Sequence, residues 1–393
     1  MRARRHDLRT AQFRRWGFRM HHWKETAEIL TRLSDPSMAG GRSAAIATVV
    51  GTVGSAYRRP GAKLLVLDDG DTLGSVSAGC LEADVREVAR TVIRTNRPML
   101  RQYDTRDEDD PVGSLGLGCR GVVDIFVQPA TAGHFSSLAK PLATFMANDV
   151  PVAIVTLVSG GADVGRMMTV AFPAATHPAG RTGGSLGDPA LDEQVVTRVR
   201  EARDGRRAAV SVVSGHGVFI ELLRPPPHVV VCGAGSDAIP LVAYAADAGF
   251  RVTLLDHRPG LLDATRFPCA SRCERAQPDD PTVVLPPPAQ TLAIIKTHSL
   301  AHDSAWLRRF LALGVPYVGV LGPRARTERM LAELDADVTG PDSRDRVFGP
   351  VGLDLGADGP QQVAISIVAE LLAVVSQRAP RHLWQRCAPI HDW

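Results

Sequence analysis

Val229-Val230-Val231-Cys232-Gly233-Ala234-Gly235-Ser236-Asp237-Ala238 reads as a strand, a glycine-rich turn and the opening of an apolar helix that runs to Ala248. Gly233-x-Gly235-x-x-Ala238 has the spacing of a dinucleotide-binding turn, and Asp256 ends the next strand about 20 residues on. In such a turn the glycines let a diphosphate approach the backbone, and the helix N-terminus offers free N–H groups. The acid can then hold a pair of ribose hydroxyls. Asp237 stands beside the phosphate position and would repel a phosphate. A Rossmann-type domain whose site is empty or altered is therefore the open alternative to a nucleotide-binding one.

Outward from this turn the alternation of strands and helices continues. Further strands are expected at 282–285, 291–295 and 317–320, and helices at 304–313 and 327–334. Pro360 fits the first turn of a closing helix over 361–377. Thr297-His298-Ser299-Leu300-Ala301-His302-Asp303 follows a strand, where open parallel sheets carry ligands. His298 and His302 would suit a metal on a helix, but the stretch starts as a loop, and Asp303 serves equally as a helix cap. Cys269 and Cys273 have no partner pair at zinc-site spacing, which leaves surface or packing roles.

Upstream, Pro225-Pro226-Pro227 is a stiff linker. It separates an expected C-terminal Rossmann-like domain, 225–393, from an N-terminal α/β domain, 23–224, itself preceded by a basic extension, 1–22. In the N-terminal domain, 44–50, 64–67 and 121–127 read as strands and 81–96 as a helix. The layout recurs about 100 residues later, as expected of repeated units. Ala45-Ile46-Ala47-Thr48-Val49 echoes Ala153-Ile154-Val155-Thr156-Leu157, and Gly74-Ser75-Val76 echoes Gly184-Ser185-Leu186. Gly121-Val122 through Val127-Gln128-Pro129 echoes Gly217-Val218 through Leu223-Arg224-Pro225. A degenerate internal duplication follows, with halves near 40–130 and 150–224. Cys80 then faces Ala190, so the thiols and Arg58-Arg59 belong to the first copy alone.

Cys80 closes Gly74-Ser75-Val76-Ser77-Ala78-Gly79-Cys80, and Cys119 sits in Gly116-Leu117-Gly118-Cys119-Arg120-Gly121. The glycines of these turns let a bulky ligand come close, and a thiolate suits a soft metal. The competing reading is a small buried hydrophobe. Arg58-Arg59-Pro60-Gly61 places two guanidiniums in a turn, suited to phosphate or carboxylate, or else a solvated loop.

Composition narrows the classes. With 45% hydrophobic and 22% charged residues, the 393-residue chain reads as a soluble protein of two or three domains. Aromatics at 5% argue against base-stacking surfaces, so no nucleic acid is expected. Six cysteines do not make a disulfide framework, and no apolar run spans a bilayer; a reducing cytoplasm is the default. The net charge of +3 hides an asymmetry: residues 1–20 hold seven arginines and one aspartate, leaving the rest mildly acidic. That arm is expected to be a disordered extension, or the start lies at Met20, where an amphipathic helix begins.

Taken together these motifs resemble the XdhC/CoxI family, accessory proteins of molybdenum hydroxylases. The resemblance rests on Gly54-Ser55-Ala56 with Arg58-Arg59-Pro60-Gly61-Ala62, on Gly74 to Glu82, and on Gly116-Leu117-Gly118-Cys119. It continues through Gly233-Ala234-Gly235, Thr297-His298, Tyr317-Val318-Gly319-Val320-Leu321-Gly322 and Gly349-Pro350-Val351-Gly352-Leu353-Asp354-Leu355-Gly356-Ala357. It implies a homodimer, not itself a dehydrogenase, that binds the molybdenum cofactor (molybdopterin) and protects it. The cofactor is sulfurated by a cysteine desulfurase while held, then passed to a xanthine- or aldehyde-dehydrogenase-type apoenzyme. Cys80 and Cys119 are the implied contacts to the metal. Arg58, Arg59, Gly79 and Gly118 would meet the pterin phosphate, and Gly233, Gly235, Asp256 and His298 would hold NAD(P) or the nucleotide of a dinucleotide molybdopterin. The chain departs from the family pattern at Arg120, at Gly-Ala-Gly-Ser-Asp-Ala in place of Gly-Ala-Gly-His-Val-Gly, and at Ser77-Ala78-Gly79. Two rival functions follow from the residues: an NAD(P)-linked oxidoreductase with His298 as acid–base, and a redox module in which Cys80 and Cys119 form a reversible disulfide.

Overall fold

The computed structural model describes residues 20–38, 41–77, 79, 81–104, 106, 121–131, 133–172, 182–201, 209–334 and 343–387. Contacts divide it into two compact units, one of His21–Pro225 and one that begins at Pro226.

In the first unit, α1 (Met20–Leu33) precedes β1 (Ala44–Gly54), whose residues from Ala44 to Val50 are all buried. A strand covered on both faces reads as an unbroken apolar run, as this one does. β1 lies between β2 (Lys63–Leu67) and β5 (Gly121–Pro129), both antiparallel to it. With β3 (Thr72–Gly74) and β4 (Met99–Asp104) they form a five-stranded sheet in the order β3-β2-β1-β5-β4. Its outer face carries α2 (Glu82–Thr95), which buries Val85, Val88, Ala89 and Val92 against Ala45, Ala47 and Val49.

The second sheet repeats this plan. β6 (Val152–Ser159), β7 (Met167–Ala171), β8 (Thr182–Gly184), β9 (Ala209–Val213) and β10 (His216–Leu223) are ordered β8-β7-β6-β10-β9. α4 (Pro189–Glu201) lays Leu191, Val195 and Val199 on its outer face. The inner faces of the two sheets share one core with α1 and with α3 (Gly133–Ala147), in which Ile46 and Leu65 meet Ile154, Met167 and Leu223.

Register carries the duplication to single residues. Lys63 pairs with Thr48 as Met167 pairs with Thr156, and Gly74 pairs with Leu64 as Gly184 pairs with Met168. The last strand corrects the sequence reading by three positions. Phe126 lies opposite Thr48 and Phe219 opposite Thr156, so Gln128 corresponds to Glu221 and not to Arg224. Both sheets carry the same irregularity, Val50 of β1 and Val158 of β6 being skipped in the pairing, and the difference lies in the matched glycines: Gly121 pairs with Gly54, whereas Gly217 pairs with Ser159, the counterpart of Gly51.

The second unit is a wholly parallel six-stranded sheet of Rossmann type. Its strands are β11 (His228–Cys232), β12 (Arg251–Asp256), β13 (Arg272–Arg275), β14 (Thr291–Ile295), β15 (Tyr317–Val320) and β16 (Val347–Phe348), in the order β13-β12-β11-β14-β15-β16. Alternation puts Val229 and Val231 in one core with α5 (Ala238–Asp247) and α8 (Pro360–Ser376). Val230 and Cys232 face the opposite core, with α6 (Leu300–Ala312) and α7 (Arg324–Ala332).

Two local expectations are overturned. Residues 282–285 form no strand: Arg309 Nη2 donates to the Val283 carbonyl at 2.9 Å and Arg272 Nη1 to the Val284 carbonyl at 2.9 Å. The sheet position is taken by β13 instead. Asp303 is not the cap of α6; Ser299 is, accepting from the His302 N–H at 3.5 Å.

Candidate functional sites

Chain order reverses between β11 and β14, and ligands of open parallel sheets bind at such a switch point, beyond the carboxyl ends of the strands. The loops after these two strands are Gly233–Ser236 and Lys296–Ser299, and they are joined by charge. Lys296 Nζ donates to Asp237 Oδ1 at 2.7 Å, and His298 Nε2 lies 3.2 Å from Asp237 Oδ2. Lys296 is buried, while His298 is exposed and holds a left-handed φ of 62°, a strained conformation for a residue other than glycine. Burial opposes charge on Asp237, but the Lys296 hydrogen bond and the charges of Lys296 and His298 hold its carboxyl below the usual range. For Lys296 burial prevails over Asp237, and its pKa is lowered.

Gly233 has φ 122°, and a Cβ there would strike the Lys296 carbonyl, so only glycine lets β11 turn against β14. A Cβ on Gly235 would stand 2.6 Å from Asp237 Oδ1. Asp256 is buried. Its Oδ2 accepts from the Ala234 N–H at 2.7 Å and Arg258 Nη2 at 2.9 Å, and its Oδ1 from the Arg258 N–H and Nε, each at 2.9 Å. Burial would raise this carboxyl, yet the Arg258 and Ala234 hydrogen bonds bring it down to about 2.

Gly233, Gly235, Asp256 and His298, read from the sequence, thus meet at one crevice. Lys296 and Arg258 belong with them and went unread, although each adjoins a motif residue or follows one by two positions. His298 and His302 have different neighbours: His298 pairs with Asp237, and the His302 ring lies 4.4 Å from that of His257. Among the described residues no three metal-donor side chains converge.

In the first unit the two arginine- and glycine-bearing turns come together through Glu25 of α1. Its Oε1 accepts from Arg58 Nη2 at 2.7 Å, its Oε2 accepts from the Lys63 N–H at 3.1 Å, and a Cβ on Gly74 would sit 3.3 Å from Oε1. Among the described residues, Arg59 Nε is buried with no partner. The Gly74–Glu82 turn is closed by Glu82, which accepts from the Ser77 N–H and Ser75 Oγ, each at 2.9 Å, and from Ser77 Oγ. Ser77 Oγ in turn accepts from the Leu81 N–H at 2.9 Å. Burial works against ionised Glu82, but the serine hydrogen bonds lower its pKa. Gly79 has φ 103°, and among the described residues beyond its chain neighbours none comes within 4 Å of where a Cβ would stand. Cys80, Gly118 and Cys119 lie outside the described residues. Glu25, Ser77 and Glu82 were not singled out from sequence, although Ser77 and Glu82 stand inside the Cys80 motif.

Comparison with known proteins adds the context. Residues 229–371 match the XdhC Rossmann domain, and residues 37–104 match the XdhC and CoxI family. A Bacillus subtilis protein, named as a probable xanthine dehydrogenase subunit, is 28% identical over 334 residues, covering 84% of this chain and 92% of its own length. The uncharacterized Escherichia coli protein YqeB is 28% identical over 177 residues, 44% of this chain and 32% of that one. The crystal structure of a protein described as a xanthine dehydrogenase from Bacillus halodurans superposes with a TM-score of 0.74 at 26% identity, over 93% of this chain and 98% of that one.

Proposed function

Because the chain belongs to the XdhC and CoxI family, we propose that it is an accessory protein of a xanthine dehydrogenase-type molybdenum hydroxylase. It takes the molybdenum cofactor as cargo and shields it during sulfuration by a cysteine desulfurase. It then passes the cofactor to a xanthine- or aldehyde-dehydrogenase-type apoenzyme, working as a cytoplasmic homodimer without dehydrogenase activity of its own. The Bacillus subtilis relative, named for its place in a xanthine dehydrogenase, supports the client class.

The observation that carries this reading is the junction at Glu25, which brings Arg58 and the Gly74 turn to one carboxylate. The residues present suit such a cargo: among the described residues Arg59 Nε is buried without a partner, and none beyond the chain neighbours crowds Gly79. Arg58 and Arg59 would hold the pterin phosphate, with Glu25 fixing the Arg58 guanidinium. Gly79 and Gly118 would admit the ring system close to the backbone, and the Cys80 and Cys119 thiolates would meet the metal. The cargo supplies the molybdenum–dithiolene centre, and the protein binds, orients and shelters it. Ionised Glu82 would hold the turn beside Cys80 in one shape.

The test is molybdenum and pterin analysis of protein purified without oxygen from a molybdenum-replete host, beside the Cys80→Ala/Cys119→Ala double variant. Near-stoichiometric molybdenum and pterin in the parent, lost in a folded variant, is the expected result. Equal retention in both removes the thiols from the site. The rival reading, an NAD(P)-linked oxidoreductase with His298 as acid–base, needs a nucleotide site open beside the His298–Asp237 contact. Turnover of NAD(P)H with a carbonyl or hydroxyl substrate would establish it.

A further inference from the structure

Where a Rossmann-type unit binds a dinucleotide, two anchors normally hold it: the glycine turn takes the diphosphate and the acid after the second strand takes the ribose. Both anchors are occupied here by the chain itself. The face of Gly235 that a diphosphate would approach is covered by Asp237 Oδ1, only 2.6 Å from where a Cβ would stand. That carboxylate is held in place by Lys296 at 2.7 Å and by His298 at 3.2 Å. Lys296 and His298, the side chains that a phosphate would seek, are thus already paired. A carboxylate offers about four acceptor positions. Asp256 uses two on each oxygen, for the Ala234 N–H, the Arg258 N–H and the Arg258 guanidinium. None is left for ribose hydroxyls. Arg258, the residue placed to meet a 2′-phosphate, directs Nε and Nη2 at Asp256.

We infer that the switch-point crevice is a dinucleotide site closed by its own side chains, with Asp237 standing where the diphosphate would lie and Arg258 where the ribose would. NAD, NADP and other nucleotide diphosphate esters are excluded from it. One consequence rests on the cofactor reading above: the molybdopterin is carried without a nucleotide tail anchored here.

The experiment is calorimetric titration of the purified full-length chain with NAD+ and, separately, NADP+. The parent is compared with Asp237→Gly and Asp237→Gly/Arg258→Ala, each shown to be folded by its thermal transition. The parent is expected to show no saturable binding at about 1 mM, and the double variant to bind NAD+ at least about tenfold more tightly than the parent. Asp237→Ala/Arg258→Ser, which also removes the carboxylate and the guanidinium from the site, serves the same comparison where the first pair does not fold. Micromolar binding of either dinucleotide by the parent overturns the inference. So does a folded double variant that still binds neither, since Asp237 and Arg258 would then not be what closes the site. No molybdenum enters this titration, so its failure leaves the cofactor reading standing, and loss of the cofactor reading leaves this result unchanged.

Discussion

Asp256 is a residue whose chemistry was legible and whose partner was not. Its place at the end of a strand after a glycine turn announces a ribose-binding acid, but Arg258 two residues on claims both its oxygens. Asp237 is the same case in reverse. Its conflict with a phosphate was readable, whereas its pairing with Lys296, 59 positions away, needed the fold. The Asp256 carboxyl is lowered to about 2, against about 3.9 in an unfolded chain. A group depressed on folding stabilises the native state fully above its unfolded pKa and loses that contribution as pH falls through its folded one. Asp256→Asn is therefore expected to be less stable than the parent near neutrality, with the gap shrinking between about pH 4 and pH 2. Urea unfolding midpoints across that range measure it, and a gap that stays constant contradicts the ionic role.

Elements were readable where their own residues decide them. β11, α5 and β12 each follow from apolar periodicity and turn chemistry, and α2 follows from Val85, Val88 and Val92 on one face. β13 was missed because Arg272-Cys273-Glu274-Arg275 has no apolar pattern; it is a strand only because it pairs with Thr253 to Asp256 of β12. The stretch 282–285 has the apolar residues but lends its carbonyls to arginines, so sequence preference loses to tertiary hydrogen bonding. The start of α2 offers a test at this scale. Ser77 Oγ both receives the Leu81 N–H and donates to Glu82. Ser77→Ala leaves that N–H and one carboxylate oxygen without their partner, a loss of about 1–2 kcal/mol. Chemical denaturation should show it, and hydrogen exchange should show faster loss of protection at Leu81 than in the middle of α2. An unchanged Leu81 amide would mean that the clamp does not order the turn.

At the largest scale the first unit is two copies of one five-stranded plan, and the places where the copies differ show what joins them. Lys63 stands where the second sheet has Met167, and Glu221 stands where the first has Gln128. Both are buried, and Lys63 Nζ reaches the two carboxylate oxygens at 2.5 and 2.7 Å, with the Gly61 carbonyl at 2.9 Å. His22 Nδ1 of α1 lies 3.7 Å from the same carboxylate, and a Cβ on Gly61 would collide with the His22 ring. The repeat itself was visible in the sequence. This seam was not, because the two charges are 158 positions apart and each belongs to a different copy. A buried pair broken on one side leaves an uncompensated charge, at a cost of about 3–5 kcal/mol. Lys63→Met and Glu221→Gln, each borrowing the residue of the other copy, should therefore destabilise the protein singly by about that amount. The double variant, which removes both charges, should recover most of the loss. A double-mutant cycle in urea decides it: strong coupling means that the pair acts as one unit across the sheets, and additive losses mean that each side chain is held by its own half alone.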